Sequence, residues 1–262
     1  MIRQSAPPST PEERLFSGAV TAVAVVLVVL YAFLSSDLPA GVRELTSFIG
    51  LIGGGIVASV ACRRRGLRST GRRRRSWMLI SAACALGAAG NTWYALHEYG
   101  VTPDDNVTDG ALLLAGLCGV AAILLFPTAQ RRRTDSARML LDGIVVGGSI
   151  LYIVSVTVFP ELLEAEDVEE RIASLILPVF DAMLATLAVL LILRGRREDR
   201  TTLALLSVGM VLYAASDLTY AVVNAESTYT FGAERDLGWI AGYGLIVLAA
   251  LHSSRGAGSD LD

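Results

Sequence analysis

The chain has 262 residues, 53 % of them hydrophobic and only 18 % charged, with a mean hydropathy of +0.54. That balance excludes intrinsic disorder, which needs low hydrophobicity and high charge, and apolar residues gathered in long blocks argue against a water-soluble enzyme. The 22 basic residues are all arginine, and 25 acidic residues bring the net charge to −3, which argues against a general nucleic-acid binder.

A transmembrane helix needs roughly 20 mostly apolar residues, and eight blocks meet or approach that length. Residues 1–15, with Pro7, Pro8 and Pro11, are expected to form a disordered leader. The first span is Phe16–Leu34; Arg3 and Arg14 flank it as in a signal peptide, but the apolar run is too long and no small-residue cleavage site follows, so a retained helix is expected. Thr46–Cys62, Ser76–Leu96 and Ala111–Phe126 complete a first unit, 16–126. After an Arg-rich loop at 127–139, Leu140–Phe159, Leu175–Leu193, Leu203–Val222 and Leu237–Leu251 make a second unit, 140–251, with a tail at 252–262. The second, fourth and eighth spans are short and rich in Gly or Ala, which suits a bundle interior.

The connectors alternate in charge. Arg63 to Arg75, Arg131 to Arg138 and Arg194 to Arg200 are basic, whereas Asp37 to Glu44, Asp104 to Asp109, Glu161 to Glu170 and Glu226 to Asp236 are acidic. Short Arg-rich loops stay cytoplasmic. The expectation is therefore an all-α, multi-pass protein of a bacterial cell membrane, with eight transmembrane helices and both termini cytoplasmic. By this topology 19 of the 22 arginines face inward, which suits an inner leaflet of anionic lipid.

Shifting the sequence by 126 residues lays the third span on the seventh. Ser81 meets Ser207, Ala88-Ala89 meet Ala214-Ala215, and Asn91-x-x-Tyr94-Ala95 meets Asp217-x-x-Tyr220-Ala221. Ala115-Gly116 likewise falls on Ala241-Gly242. The simplest account is a duplicated four-helix unit. An even number of spans per unit makes the two repeats parallel.

Nothing marks a catalytic centre, a cofactor or a metal site. There is no phosphate-binding loop, no His-Glu-x-x-His and no Gly-x-Ser-x-Gly. Cys62, Cys84 and Cys118 form no C-x-x-C pair and are expected as packing residues, and His97 and His252 fall at opposite faces. Asn106-Val107-Thr108 matches a glycosylation acceptor in an outer loop, although the absence of lysine points to a GC-rich bacterial source where it is normally not read.

Charged residues at membrane depth are costly, so each is a functional candidate. Asp142 sits in the first turn of its span beside arginines, where the helix N-terminus and those cations stabilise it. Asp181 and Asp217 lie at similar depth in the outer half. Tyr213, Asp217 and Tyr220 share one helical face, and Gly87, Asn91 and Tyr94 repeat that spacing. An outward-opening polar pocket is expected from Asn91, Tyr94, Asp181, Tyr213, Asp217, Tyr220, Arg235 and Trp239, with Trp93 and Tyr243 as further aromatic walls. The plainer alternative is that the polar residues are interhelical hydrogen-bonding glue. Asp236, just before the eighth span, is expected to cap its helix, and Arg235 could neutralise an aspartate below it. Gly50-x-x-x-Gly54, Ala83-x-x-x-Gly87 and Gly238-x-x-x-Gly242 allow close helix contact, within the chain or between copies.

Leu141-Asp142, Leu177-Pro178-Val179-Phe180-Asp181, Asp217-Leu218-Thr219-Tyr220 and Asp236-Leu237-Gly238-Trp239-Ile240-Ala241-Gly242-Tyr243 together form a recognisable set. In these residues the second half resembles the N-terminal multi-span region that precedes diguanylate cyclase (GGDEF) and often phosphodiesterase (EAL) domains in actinobacterial proteins. Leu177 departs from that region's usual tyrosine, and no catalytic domain is expected after Leu251. The resemblance implies a signal-input or scaffold module that works through a cytoplasmic signalling partner or a homo-oligomer. The alternative is a small proton- or cation-coupled transporter using Asp181 and Asp217.

Overall fold

The computed structural model describes residues 11–102, 106–127, 138, 141–142, 144–145, 148–149, 152, 180, 183–192, 199–225 and 229–252. Among them all regular structure is helical: α1 (Pro11–Leu34), α2 (Ala40–Leu67), α3 (Gly71–Glu98), α4 (Asn106–Leu125), α5 (Met183–Ile192), α6 (Arg200–Ala225) and α7 (Leu237–Leu251). A 3-10 turn, Glu234–Asp236, leads into α7. These helices fall on the expected first to fourth and sixth to eighth spans. In the expected fifth span every described residue, from 141 to 152, is helical.

Four helices, α1, α2, α4 and α6, are long and apolar enough to cross a membrane, which suggests a membrane-embedded protein. The 28-residue α3 is long enough, but the arginines at its start and Asn91 and Thr92 near its end dilute its apolarity. With 15 residues α7 is short, at about 22 Å. It is also the most deeply enclosed helix, burying Trp239, Ile240, Gly242, Tyr243 and the whole run from Ile246 to Ala250. A helix that is apolar all round belongs inside a bundle, and α7 packs against α6, α2 and α1.

The outer helices show the opposite pattern. Beyond its first turns, the exposed side chains of α1 are mainly apolar, Val28 at 67 % and Val25 at 54 % among them, as expected where lipid replaces water. Residues from Pro11 on, inside the stretch expected to be a disordered leader, are helical.

The small-residue motifs work within the chain. Gly54 and Gly87 both face Tyr243 of α7, while Gly242 meets Gly209 of α6 so closely that a Cβ on either would lie 2.9 Å from the other's carbonyl oxygen. Neighbouring helices are also tied by hydroxyls. Ser81 Oγ donates to the Ser59 carbonyl on α2 at 2.9 Å, and Ser207 Oγ donates to the Ala188 carbonyl on α5 at 2.6 Å. Thr108 is buried and its hydroxyl reaches the Gly90 carbonyl, so the threonine of the expected glycosylation acceptor is packed into the α3–α4 contact.

At the end of the bundle where α3 and α6 begin, Arg73 pairs with Asp199 at 2.5 Å, the carboxylate side chain being only 3 % exposed. Beside the far end of α7, His252 Nδ1 lies 3.1 Å from Thr202 Oγ1, and the His252 ring stands edge-on to Phe16. Burial, and then the charge of Arg65, lowers the His252 pKa from its ordinary value of 6.5.

Candidate functional site

The α6 periodicity places Tyr213, Asp217 and Tyr220 along one face, and α7 runs antiparallel beside it. This pairing brings the start of α7 level with the end of α6. Trp239, in the first turn of α7, donates its indole N–H to Asp217 Oδ1 at 2.7 Å. One turn further into the bundle, the Tyr213 and Tyr243 rings meet edge to face at 5.3 Å with their hydroxyls 3.5 Å apart.

Beside these side chains lies a cavity of about 100 Å³ bounded by α3, α4, α5, α6 and α7. Its described walls are mainly apolar, with Ile80, Phe180, Met210 and Ile246 prominent, and its polar groups are Asp217, Tyr213, Tyr243 and the Cys84 thiol. Gly87 is part of the wall for a steric reason: a Cβ there would lie 2.5 Å from the Tyr243 hydroxyl. Asp217 stands about midway along the outgoing half of α6, so the cavity occupies the middle of the bundle with its carboxylate toward the acidic-loop end.

Above Trp239 an aromatic roof closes that end. Phe231 stacks on Phe48 at 4.8 Å and lies 5.3 Å from Tyr94. Tyr220 meets Tyr229 edge-on at 4.6 Å, and both rings flank Trp239. Tyr229, Phe231 and the 3-10 turn belong to the connector between α6 and α7, so the roof is a strap across the bundle.

Asp236 anchors the strap. Its carboxylate is fully buried and takes three donors: Ser47 Oγ at 2.6 Å, the Gly232 N–H at 2.7 Å and the Tyr229 hydroxyl at 2.7 Å. Burial and the adjacent Asp236 carboxylate push the Tyr229 pKa far above the ordinary tyrosine value, so the phenol stays protonated as the donor. Gly232 has φ +92°, a region glycine enters without penalty, and it lies against the backbone of Arg43 and Glu44 at the start of α2. This corrects the capping role expected for Asp236. The residue sits at the cap position in helical geometry and its side chain makes no cap bond, its oxygens being turned toward Ser47, Gly232 and Tyr229 instead.

The residues expected to share a pocket separate into groups. Tyr213 and Asp217 line the cavity, with Trp239 bonded to the carboxylate. Tyr220 and Tyr94 belong to the aromatic roof. The amide of Asn91 turns back onto its own helix and donates to the Gly87 carbonyl at 2.8 Å. Arg235, expected to neutralise an aspartate, is exposed and holds its guanidinium 5.2 Å from the Tyr229 ring centre. Asp181 lies outside the described residues. Sequence reasoning missed Ser47 and Tyr229, whose signal appears only when α2 and the strap are brought together, and Asp199, which falls on Arg73 when the sequence is shifted by 126.

Comparison with known proteins returned no match: no family model, no curated protein and no solved structure is similar to this chain.

Proposed function

We propose that the chain is a multi-pass module of a bacterial cell membrane, built from two parallel four-helix units, 16–126 and 140–251, with eight spans and both termini cytoplasmic. It acts as a signal-input module without catalysis of its own. The observation that carries this reading is the junction of strap and cavity: Trp239 bonds Asp217 at the cavity head while its ring sits in the roof. Occupancy below and the position of the strap above are thereby mechanically linked. The resemblance to membrane regions ahead of cyclase and phosphodiesterase domains supports the same reading, since two of its motifs, Asp217-x-x-Tyr220 and Asp236-x-x-Trp239, meet at this junction. The Arg-rich inner loops would rest on anionic lipid and present the module to a cytoplasmic partner or a second copy. The duplicated organisation also suits a small carrier, but Asp217 is the sole carboxylate among the described lining residues.

Asp217→Asn separates the two. In proteoliposomes carrying the wild type, the input reading expects no proton or cation flux, while Asp217→Asn alters hydrogen exchange at both the strap and the Arg73–Asp199 end. Flux that Asp217→Asn abolishes would establish the carrier instead, and an exchange change confined to the immediate neighbours of Asp217 would refute signal transmission. A periplasmic reporter fused after Arg75 should be silent and one after Glu166 active; the reverse would overturn the topology.

A further inference from the structure

We propose that the cavity is a binding site for a small lipophilic ammonium: a primary amine or larger alkylammonium head with a short hydrocarbon tail. This rests on the pocket reading above and assigns its ligand class. Asp217 stands at one end of the cavity and the opposite wall is apolar, formed by Ile80, Met210 and Ile246 with Phe180 alongside. That division calls for a ligand with one cationic end and one apolar end.

The competing classes fit less well. An anion would meet the Asp217 carboxylate. A bare metal cation needs a shell of about six oxygens, and the described lining offers only the carboxylate and the two phenols of Tyr213 and Tyr243. A neutral apolar molecule would make no use of the half-buried Asp217 carboxylate at the cavity wall. An amine brings its own proton, so amine and carboxylate together add no net charge to the low-dielectric interior whichever of them holds it. The Tyr213 and Tyr243 side chains, packed edge to face at 5.3 Å, also line the cavity, and their phenol oxygens can accept an ammonium N–H. Trp239 donates to Oδ1 of Asp217, and a carboxylate has further lone pairs for an ammonium N–H. The volume of about 100 Å³ suits a chain of about four carbons, since a ~150 Å³ apolar cavity holds benzene.

The test uses the full chain in lipid nanodiscs, with ligand-observed NMR corrected against empty nanodiscs. The probes are n-butylammonium, the neutral n-butanol and the anionic butyrate. The wild type should bind n-butylammonium at least about tenfold more tightly than n-butanol, with butyrate weakest. Asp217→Asn should bring n-butylammonium down to the n-butanol level and leave n-butanol unchanged, while Asp217→Glu keeps the ammonium preference. Thermal melts of each variant confirm that it is folded. Equal affinity for n-butanol and n-butylammonium in the wild type overturns the proposal, as does undiminished n-butylammonium binding by folded Asp217→Asn or a lost preference in folded Asp217→Glu. Met210→Trp fills the cavity. If n-butanol binds the wild type but not Met210→Trp and n-butylammonium has no advantage, the pocket stands and the ligand class falls. If no probe binds the wild type, both fall.

Discussion

Replacing Asp236 tests whether the strap is held by one buried carboxylate. In Asp236→Ala three donors lose their acceptor at once, and their fates differ. Ser47 can turn its hydroxyl onto a carbonyl of its own helix, as its neighbour Thr46 does toward Val42 at 2.7 Å. The half-buried Tyr229 can recover part of its bond from water. The Gly232 N–H is fixed to the backbone of a buried residue and has no such route. A hydrogen bond to a charged group contributes roughly 1.5–3 kcal/mol and an orphaned buried donor costs roughly 1–3 kcal/mol. With Ser47 rescued and Tyr229 partly so, Asp236→Ala should cost about 3 kcal/mol, or roughly a hundredfold in the folding equilibrium.

Asp236→Asn sharpens the test because it is nearly isosteric. Its amide oxygen must face Ser47 and Gly232, since the Gly232 N–H cannot become an acceptor. Its NH2 group then faces Tyr229, whose hydroxyl can reverse and accept. All three contacts survive in weaker, neutral form, at a cost of about 1.5 kcal/mol. Reversible unfolding in mixed micelles gives the stabilities, and hydrogen exchange at the Gly232 amide reports the strap itself. Asp236→Ala within 0.5 kcal/mol of wild type (about twofold in equilibrium), an unchanged Gly232 exchange rate, or an asparagine variant less stable than the alanine variant would refute the reasoning.

Gly232→Ala should loosen the same strap from the other side, by about 2 kcal/mol. The residue has φ +92°, and a Cβ would lie 2.6 Å from the Glu44 nitrogen; faster exchange along residues 229–236 is the readout. For the Arg73–Asp199 pair, Arg73→Leu alone should cost about 3 kcal/mol by stranding a buried carboxylate, whereas Arg73→Leu with Asp199→Leu should cost much less; unfolding free energies that add across the two sites would contradict this. His252 makes stability depend on pH. Its folded pKa lies below 6.5, so the unfolded chain takes up the proton more readily, and the contribution present at pH 7.5 is lost as pH falls below that value. The drop in Tm between pH 7.5 and 5.5 should be smaller in His252→Gln than in the wild type.

The helices were legible because an apolar block long enough to cross a membrane has few other structures open to it. Grouping on a single helix was legible too: spacings of four and three residues put Tyr213, Asp217 and Tyr220 on one face, and two of them line the cavity. Identity between positions was a weaker guide. Asn91 matches Asp217 in spacing, yet a neutral amide is satisfied by the carbonyl of Gly87 one turn back, and nothing draws it toward the cavity. Asp236 was misread because its local position, directly before an apolar run, is that of a cap. Its actual donors include Ser47, 189 residues away, and no local rule reaches that far. Arg235 was paired with an acid by charge alone, but an exposed cation keeps its hydration while resting on the face of Tyr229.

Several residues one 126-residue offset apart make related contacts. Ser81 and Ser207, one offset apart, each donate to a carbonyl of the preceding helix. Arg73 and Asp199, also one offset apart, touch each other, and Gly87 and Tyr213 share the Tyr243 hydroxyl as a neighbour. Under a two-fold rotation only points close to the axis can meet their own images. The proposed duplication therefore puts its axis through the Arg73–Asp199 pair and past the cavity. Two identical halves would then place two carboxylates across one small apolar space, which is unfavourable without a cation between them. Under the proposed duplication the two halves would differ at these positions. Gly87, Asn91 and Leu113 stand in the first half where Tyr213, Asp217 and Trp239 stand in the second. The first half supplies space and a self-satisfied amide, and the second supplies the charge, the phenol and the indole that holds the charge in place.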